Sequence, residues 1–271
     1  MEPAPVRIEL RHSLVWDIGV TVALGGLVTA SGLSQRALGP ASCRVCDGDG
    51  TEVNGLDEAF RNALRRDDTT PASTTSHIVA YGVAPLASIA LQWVAAADEQ
   101  RADEVPLDVL LTVEAVMGAL TLNEGLKLLF ARERPYVHAM TDPEAKQRHI
   151  DDGDTLTSLP SGHTAATFAM AAAGGTIATM RGYRLAPLVW IAGAALGVTV
   201  GYLRMAADRH YLTDVLAGAA VGTGMGIGIP LLFHRPKSEA SPSAALQWLQ
   251  TARISTSELP GGRTVSLGWT F

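Results

Sequence analysis

Six long apolar runs constrain this chain more than any other feature. They cover residues 13–33, broken only by Asp17, then 78–97, 107–130, 164–180, 185–203 and 211–233. A membrane-spanning helix needs about 20 mostly apolar residues, with roughly 17 to 25 seen, and all six runs fit. Charged residues make up 18% of the chain, below the ~25% usual in soluble domains. The runs predict an all-α bundle of six spans. A soluble all-helical protein is the competing reading, kept alive by the abundance of Ala and Gly. Small residues are nevertheless what packed membrane helices use at their contacts, so 171–175 and 218–228 read as close helix–helix seams.

Basic residues near the ends of spans set orientation. Arg7 and Arg11 precede the first run, Arg181 and Arg184 separate the fourth and fifth, and Arg235 and Lys237 follow the sixth. With six spans these lie on one side, which is expected to be cytoplasmic. The acidic loop 98–104 shares that side and weakens the assignment little. The first run is too long for a signal-peptide core and is read as a span. A net charge of -6 and no basic patch argue against nucleic acid as a partner.

Residues 1–236 form one expected membrane domain and 237–271 a polar tail. In the first outer loop, Cys43 and Cys46 favour a local disulfide, followed by an acidic Gly-rich turn at 47–50. Asn54 is placed to cap a short helix with Asp57 three residues on. Leu56, Phe60 and Leu64 recur there at one-turn spacing, while Arg61, Arg65 and Arg66 face elsewhere. That helix is expected either at the outer membrane boundary or packed on the protein. In the tail, Val265, Leu267, Trp269 and Phe271 alternate with polar residues, the pattern of a strand. With a turn at 260–262 and a partner over 246–255, the tail predicts a small β-hairpin.

Three clusters carry the chemistry, and the six-span topology puts all of them on the outer face. Lys127 and Arg134 are seven residues apart, so a continuous helix would present both from one face, with Pro135 ending it. Cations snorkelling at the boundary are the plain alternative. Pro160-Ser161-Gly162-His163 stands where a loop becomes the fourth run. Ser161 is placed to cap that helix, helix-start N–H groups attract an anion, and Gly162 admits close backbone approach. An ordinary capped helix start is the plain alternative. Arg204 closes the fifth run. His210 and Asp214 are four apart and share a helix face, so the carboxylate could orient the imidazole and leave one nitrogen free. A salt bridge or packed histidine is the plain alternative. Asp142, Asp151, Asp152 and Asp154 are read as a solvated face rather than a metal site.

Taken together, Lys127 with Arg134-Pro135, Pro160 to His163, and Leu203-Arg204 with His210 and Asp214 resemble the three-part signature of the type 2 phosphatidic acid phosphatase superfamily. That superfamily also contains bacterial acid phosphatases and vanadium haloperoxidases. Leu203 stands where the family has a serine. The likeness covers about 107–233 and suits the family's six-span membrane branch. It implies that His210 attacks phosphorus and becomes a phosphohistidine, that Asp214 orients and balances it, and that His163 protonates the leaving oxygen. Lys127, Arg134, Arg204, Ser161 and Gly162 would hold the phosphate, with no metal and no cofactor. The expected function is hydrolysis of a phosphomonoester or pyrophosphate on a membrane lipid, at the outer face of a bacterial inner membrane. Candidates include phosphatidic acid, phosphatidylglycerol phosphate and undecaprenyl pyrophosphate. A phosphotransferase using the same histidine, a vanadate haloperoxidase and a non-catalytic phospholipid-binding protein are the alternatives.

Overall fold

The structure is a computed structural model that describes residues 7–34, 39–45, 53–151, 154–237, 252–259 and 262–269. Helix α1 spans Leu14–Leu33 and α2 spans Gly55–Leu64. Helix α3, Thr70–Ile78, runs through a π turn at Val79–Val83 into α4, Ala84–Asp98. The second apolar helix therefore begins eight residues before the apolar run does. Helix α5 is Val105–Phe130, and short helices α6, Pro135–His138, and α7, Pro143–Asp151, follow it. Three long helices complete the bundle: α8, Gly162–Arg181; α9, Ala186–Ala206; and α10, Leu212–Phe233.

Helix α8 is the hub, packed by α5, α9 and α10. Its contact with α10 is a small-residue seam. A Cβ on Gly218 would sit 2.5 Å from the Ser161 carbonyl, and one on Gly226 would sit 2.7 Å from the Ala169 carbonyl. Gly222, one turn from each, faces Ala165 in the same way. Only glycine lets the two backbones come this close. The expected seam at 171–175 is also present, with Gly193 of α9 against Ala171 and Trp190 over Gly175.

Among the described residues, five helical segments are long and apolar enough to cross a membrane: Leu14–Leu33, Thr70–Asp98, Ala102–His138, Ala186–Ala206 and Leu212–Phe233. The fourth expected span, α8, forms a 20-residue helix but is not among them. Its Ala, Gly and Thr residues suit a helix buried by its neighbours, and nearly all of them are buried. Outward-facing side chains on the other helices are large and apolar: Trp16 is 73% exposed, Ile191 70% and Leu232 65%. Such a surface belongs in a lipid bilayer.

The bundle has two chemically distinct ends. At one, residues 9–11 pair with 235–237, through Arg11 N–H to the Arg235 carbonyl at 2.9 Å and Lys237 N–H to the Glu9 carbonyl at 2.8 Å. The basic residues used for orientation meet acids there: Arg181 bonds Asp108 at 2.6 Å and Arg184 bonds Asp98 at 2.9 Å. The other end gathers the starts of α8 and α10 with the ends of α5 and α9.

Helix α2 lies at this second end. As expected, the Asn54 side chain accepts the Asp57 N–H, at 3.0 Å. Its polar face holds it to the bundle: Arg61 makes two 2.7 Å bonds to Asp208, and Arg66 reaches the Tyr202 hydroxyl at 3.0 Å. Leu56 and Phe60 stay exposed, so α2 is packed on the protein with its apolar edge outward. Cys43 is disulfide-bonded; Cys46, the chain's other cysteine, and the 47–50 turn lie outside the described residues. In the tail, β1 (Ala252–Leu259) and β2 (Gly262–Trp269) pair antiparallel, from Ala252 opposite Trp269 to Leu259 opposite Gly262. The first strand thus starts later than the 246–255 expected, and Pro260 and Gly261 lie outside the described residues.

Candidate active site

Lys127 sits in the last turn of α5, its ammonium 2.7 Å from Glu124. The helix does not continue to Arg134 as the spacing suggested. It stops at Ala131, whose backbone is left-handed (φ 48°, ψ 47°). Arg134 is instead held in a loop, where its N–H bonds the Thr155 carbonyl at 2.8 Å. The two cations meet the same site from different elements, and not from one helix face. Arg134 is buried and engaged on three sides. Its Nε donates to the Asp154 carbonyl (2.9 Å), its Nη2 to the Asp154 carboxylate (2.7 Å) and its Nη1 to the Arg209 carbonyl (3.1 Å). Asp154 is therefore ion-paired with Arg134, although its side chain stays 44% exposed. Burial alone would push its carboxyl up, but Arg134 outweighs this and the net shift is downward.

The turn before α8 includes a cis Leu159–Pro160 bond. Ser161 occupies the N-cap position, but its hydroxyl does not cap the helix. It shares a hydrogen bond with the Thr164 hydroxyl at 2.9 Å, while its N–H bonds the Asp214 carbonyl at 2.9 Å. This ties the start of α8 to the start of α10. Gly162 lies under Lys127: a Cβ there would be 3.3 Å from both the Lys127 ammonium and the Asn123 amide nitrogen. Asn123 is fully buried, and neither of its amide atoms has a hydrogen-bond partner.

His210 is bonded from both sides. Arg134 Nη1 can only donate, so His210 Nε2, 3.2 Å away, is the acceptor. Nδ1 then carries the proton and donates to the Ser158 carbonyl at 2.8 Å. Asp214 makes no direct hydrogen bond to this ring, although its nearest oxygen lies within ion-pair range, 3.7 Å from Nδ1. Its carboxylate accepts instead from Arg132 Nη1 (2.6 Å), the Ser158 hydroxyl (2.6 Å) and the Tyr211 N–H (2.9 Å). Asp214 thus fixes Ser158, and the Ser158 carbonyl fixes the imidazole. Arg132 also bonds Asp57 at 2.7 Å and lies over the Tyr211 ring, 4.3 Å from its centroid. Asp57 in turn accepts from the Thr213 N–H and hydroxyl, at 2.9 and 2.6 Å. Through this chain α2 braces the start of α10.

Arg204 comes from the last turn of α9. Its Nη1 donates to the Ser76 hydroxyl at 3.2 Å, and its Nε has no hydrogen-bond partner although the residue is buried. Among the described residues no carboxylate pairs with it. His163 Nε2 lies 3.0 Å from His77 Nδ1, so a single proton sits between the two nitrogens. The Tyr81 ring lies 4.7 Å from His163. Burial first, then the charges of Arg134, Arg204 and Lys127, hold the His210 imidazole well below its ordinary value. Of the three expected cations, Arg134 touches this ring, while Arg204 and Lys127 act on it through their charge.

The site combines a neutral imidazole whose Nε2 lone pair is turned toward Arg134, three buried cations and the start of a helix. It can bind a tetrahedral anion and present a nitrogen to it. Its carboxylates are already tied to cations: Glu124 to Lys127, Asp154 to Arg134, and Asp214 to Arg132. The sequence reading missed Ser158, Arg132, Asp57, His77, Tyr81 and Asn123. Arg132 stands two residues from Arg134, and His77 adjoins the second apolar run, so proximity was a signal for both. Nothing in the sequence pointed to the Ser158 carbonyl.

Residues 108–237 match the family model described as the PAP2 superfamily. This segment holds all the expected site residues from Lys127 to Asp214, and for it the resemblance carried by the motifs is borne out. A lipid A 1-phosphatase from Porphyromonas gingivalis is 35% identical over 112 residues, 41% of this chain and 20% of that protein. The chain therefore matches about a fifth of that relative's length. A crystal structure described as the first transmembrane PAP2 type phosphatidylglycerolphosphate phosphatase, from Bacillus subtilis, is similar over 79% of this chain and 93% of that one. The TM-score is 0.46 and the identity 17%.

Proposed function

We propose that this chain, through its PAP2-superfamily segment, is an integral membrane phosphatase that hydrolyses a terminal phosphate ester or anhydride on a lipid. The observation that carries the reading is a His210 Nε2 that bears the ring's lone pair, together with Arg204, a buried cation with no carboxylate partner among the described residues. An incoming phosphate supplies the negative charge. Lys127, Arg134 and Arg204 hold its non-bridging oxygens, with the Gly162 N–H and Ser161 at the start of α8. His210 Nε2 forms a bond to phosphorus as the bond to the lipid oxygen breaks, and His163 gives that oxygen its proton. Water then attacks the phosphohistidine, His163 takes a proton from it, and orthophosphate leaves. The fixed donors around the three equatorial oxygens suit the charge that develops there, and the scheme uses no metal.

Helix α8 is counted as the sixth span, shielded from lipid by its neighbours, so 1–236 acts as one membrane domain with 237–271 appended. The basic end faces the cytoplasm on the charge argument, and the site opens at headgroup depth on the opposite side of a bacterial inner membrane. Lipid phosphates are favoured because the site lies among outward-facing apolar helices. The test is phosphate release by purified protein across a panel of lipid phosphates and pyrophosphates, beside the His210→Ala variant. Release from at least one lipid, abolished in the variant, is expected; equal release by both would overturn the mechanism.

A further inference from the structure

The first apolar run is interrupted only by Asp17, and α5 carries Glu114 in its middle. Neither side chain belongs to the site described above. Both are buried, and both lie toward the opposite end of the bundle, beside His234 at the end of α10. One ligand atom from each residue lies within 4.8 Å of the other two. Two carboxylates at this depth are costly unless they meet positive charge.

The hydrogen bonds prepare these groups as ligands. His234 Nδ1 is 3.1 Å from the Arg11 carbonyl, to which it donates. In the neutral ring that leaves the lone pair on Nε2, the arrangement of a metal-bound histidine held by a backbone carbonyl. Nε2 lies 3.5 Å from Glu114 Oε2, and neither atom has a hydrogen-bond partner. Their residues are only 2% and 6% exposed. Asp17 accepts the Ser13 N–H at 3.0 Å, which fixes its carboxylate at the start of α1. A cavity of about 760 Å³, lined by Arg11, Ser13, Asp17, Glu114 and His234 among others, adjoins the three side chains and leaves room for water ligands.

We propose that Asp17, Glu114 and His234 bind one divalent cation of the zinc class, clamping α1 and the end of α10 to α5. Two carboxylates neutralise a divalent ion, and the imidazole favours zinc-like ions over magnesium or calcium. Ligand distances of about 2.0–2.2 Å require the three donors to draw slightly closer, which side-chain rotation allows. The clamp matters because α1 is the least enclosed of the candidate spans, resting mainly on α5. The inference does not depend on the phosphatase reading, and its test does not use phosphate release.

The experiment takes the full chain in detergent, strips it with chelator, adds Zn²⁺ and measures bound zinc and thermal unfolding. One equivalent retained is expected, with Tm raised by roughly 5 °C at a hundredfold excess over Kd. Both effects should vanish in Glu114→Gln and His234→Asn and persist in His210→Ala and His163→Ala. Asp17→Asn, on the peripheral helix, serves if either variant fails to fold. No retained zinc, or one equivalent retained in Glu114→Gln, His234→Asn and Asp17→Asn alike, would overturn the proposal. So would loss of zinc only in the His210 and His163 variants. In the first case a shared proton, with His234 charged against Glu114, accounts for the cluster.

Discussion

The route from Asp214 to His210 through Ser158 yields a sharp expectation. The Ser158 hydroxyl and the Asp214 carboxylate are fully buried and 2.6 Å apart. A hydrogen bond to a charged group is worth about 1.5–3 kcal/mol. If that bond sets the Ser158 carbonyl, 2.8 Å from His210 Nδ1, Ser158→Ala and Asp214→Asn damage the same element. Asp214→Asn alone should be the more harmful, because it also removes the partner of Arg132. The double variant should then be little worse than Asp214→Asn. The coupling in kcat/KM should reach about 1.5–3 kcal/mol, roughly 10- to 150-fold. The assay is initial phosphate release from a micellar lipid phosphate at low substrate concentration, with Tm recorded for each variant to exclude unfolding. Multiplicative effects, with coupling under about 0.5 kcal/mol, would refute the route and return Asp214 to direct contact with the ring.

Three other expectations follow from the geometry. His77 shares a proton with His163, so His77→Ala should slow release from alkyl phosphates roughly tenfold or more and an aryl phosphate with a good leaving group far less; equal losses would exclude a proton role. Gly218→Ala places a Cβ 2.5 Å from the Ser161 carbonyl and should cost about 1–3 kcal/mol, read as a Tm several degrees lower; an unchanged Tm would contradict the seam. His210 is held below its ordinary value when folded, so the unfolded chain takes up the proton first as pH falls. Its contribution to stability is complete above about pH 6.5 and is lost below it. Thermal scans should show a smaller drop in Tm from pH 7 to pH 5 in His210→Gln than in the parent; an equal drop would contradict the shift.

The helical fold and the meeting of the three clusters were legible because both depend on local pattern. Apolar runs of span length declare helices, and the small-residue stretches of α8 and α10 declare where backbones meet. His210, His163 and Arg204 each lie at or near a helix end, where spacing fixes direction. Features governed by loops were not legible. The left-handed Ala131 ends α5 before Arg134, and no pattern of side chains announces that. The ion pair of Asp154 was not legible because its partner, Arg134, lies 20 positions earlier and reaches it only through the folded loop. The partner of His210 is a main-chain carbonyl, which sequence does not distinguish from any other. Helix α8 looked like the other spans in length, yet its small residues reflect enclosure by protein more than contact with lipid.

The account rests on His210 becoming covalently phosphorylated. Purified protein can be mixed with a lipid phosphate labelled in its terminal phosphoryl group, quenched within milliseconds in alkali, digested and mapped by mass spectrometry. An acid-labile, alkali-stable phosphoryl group on the peptide carrying His210, absent from His210→Ala and accumulating when His163 is replaced and an activated leaving group is used, is the predicted result. Rapid turnover of the parent enzyme with no labelled peptide, or with label on another residue, would contradict it.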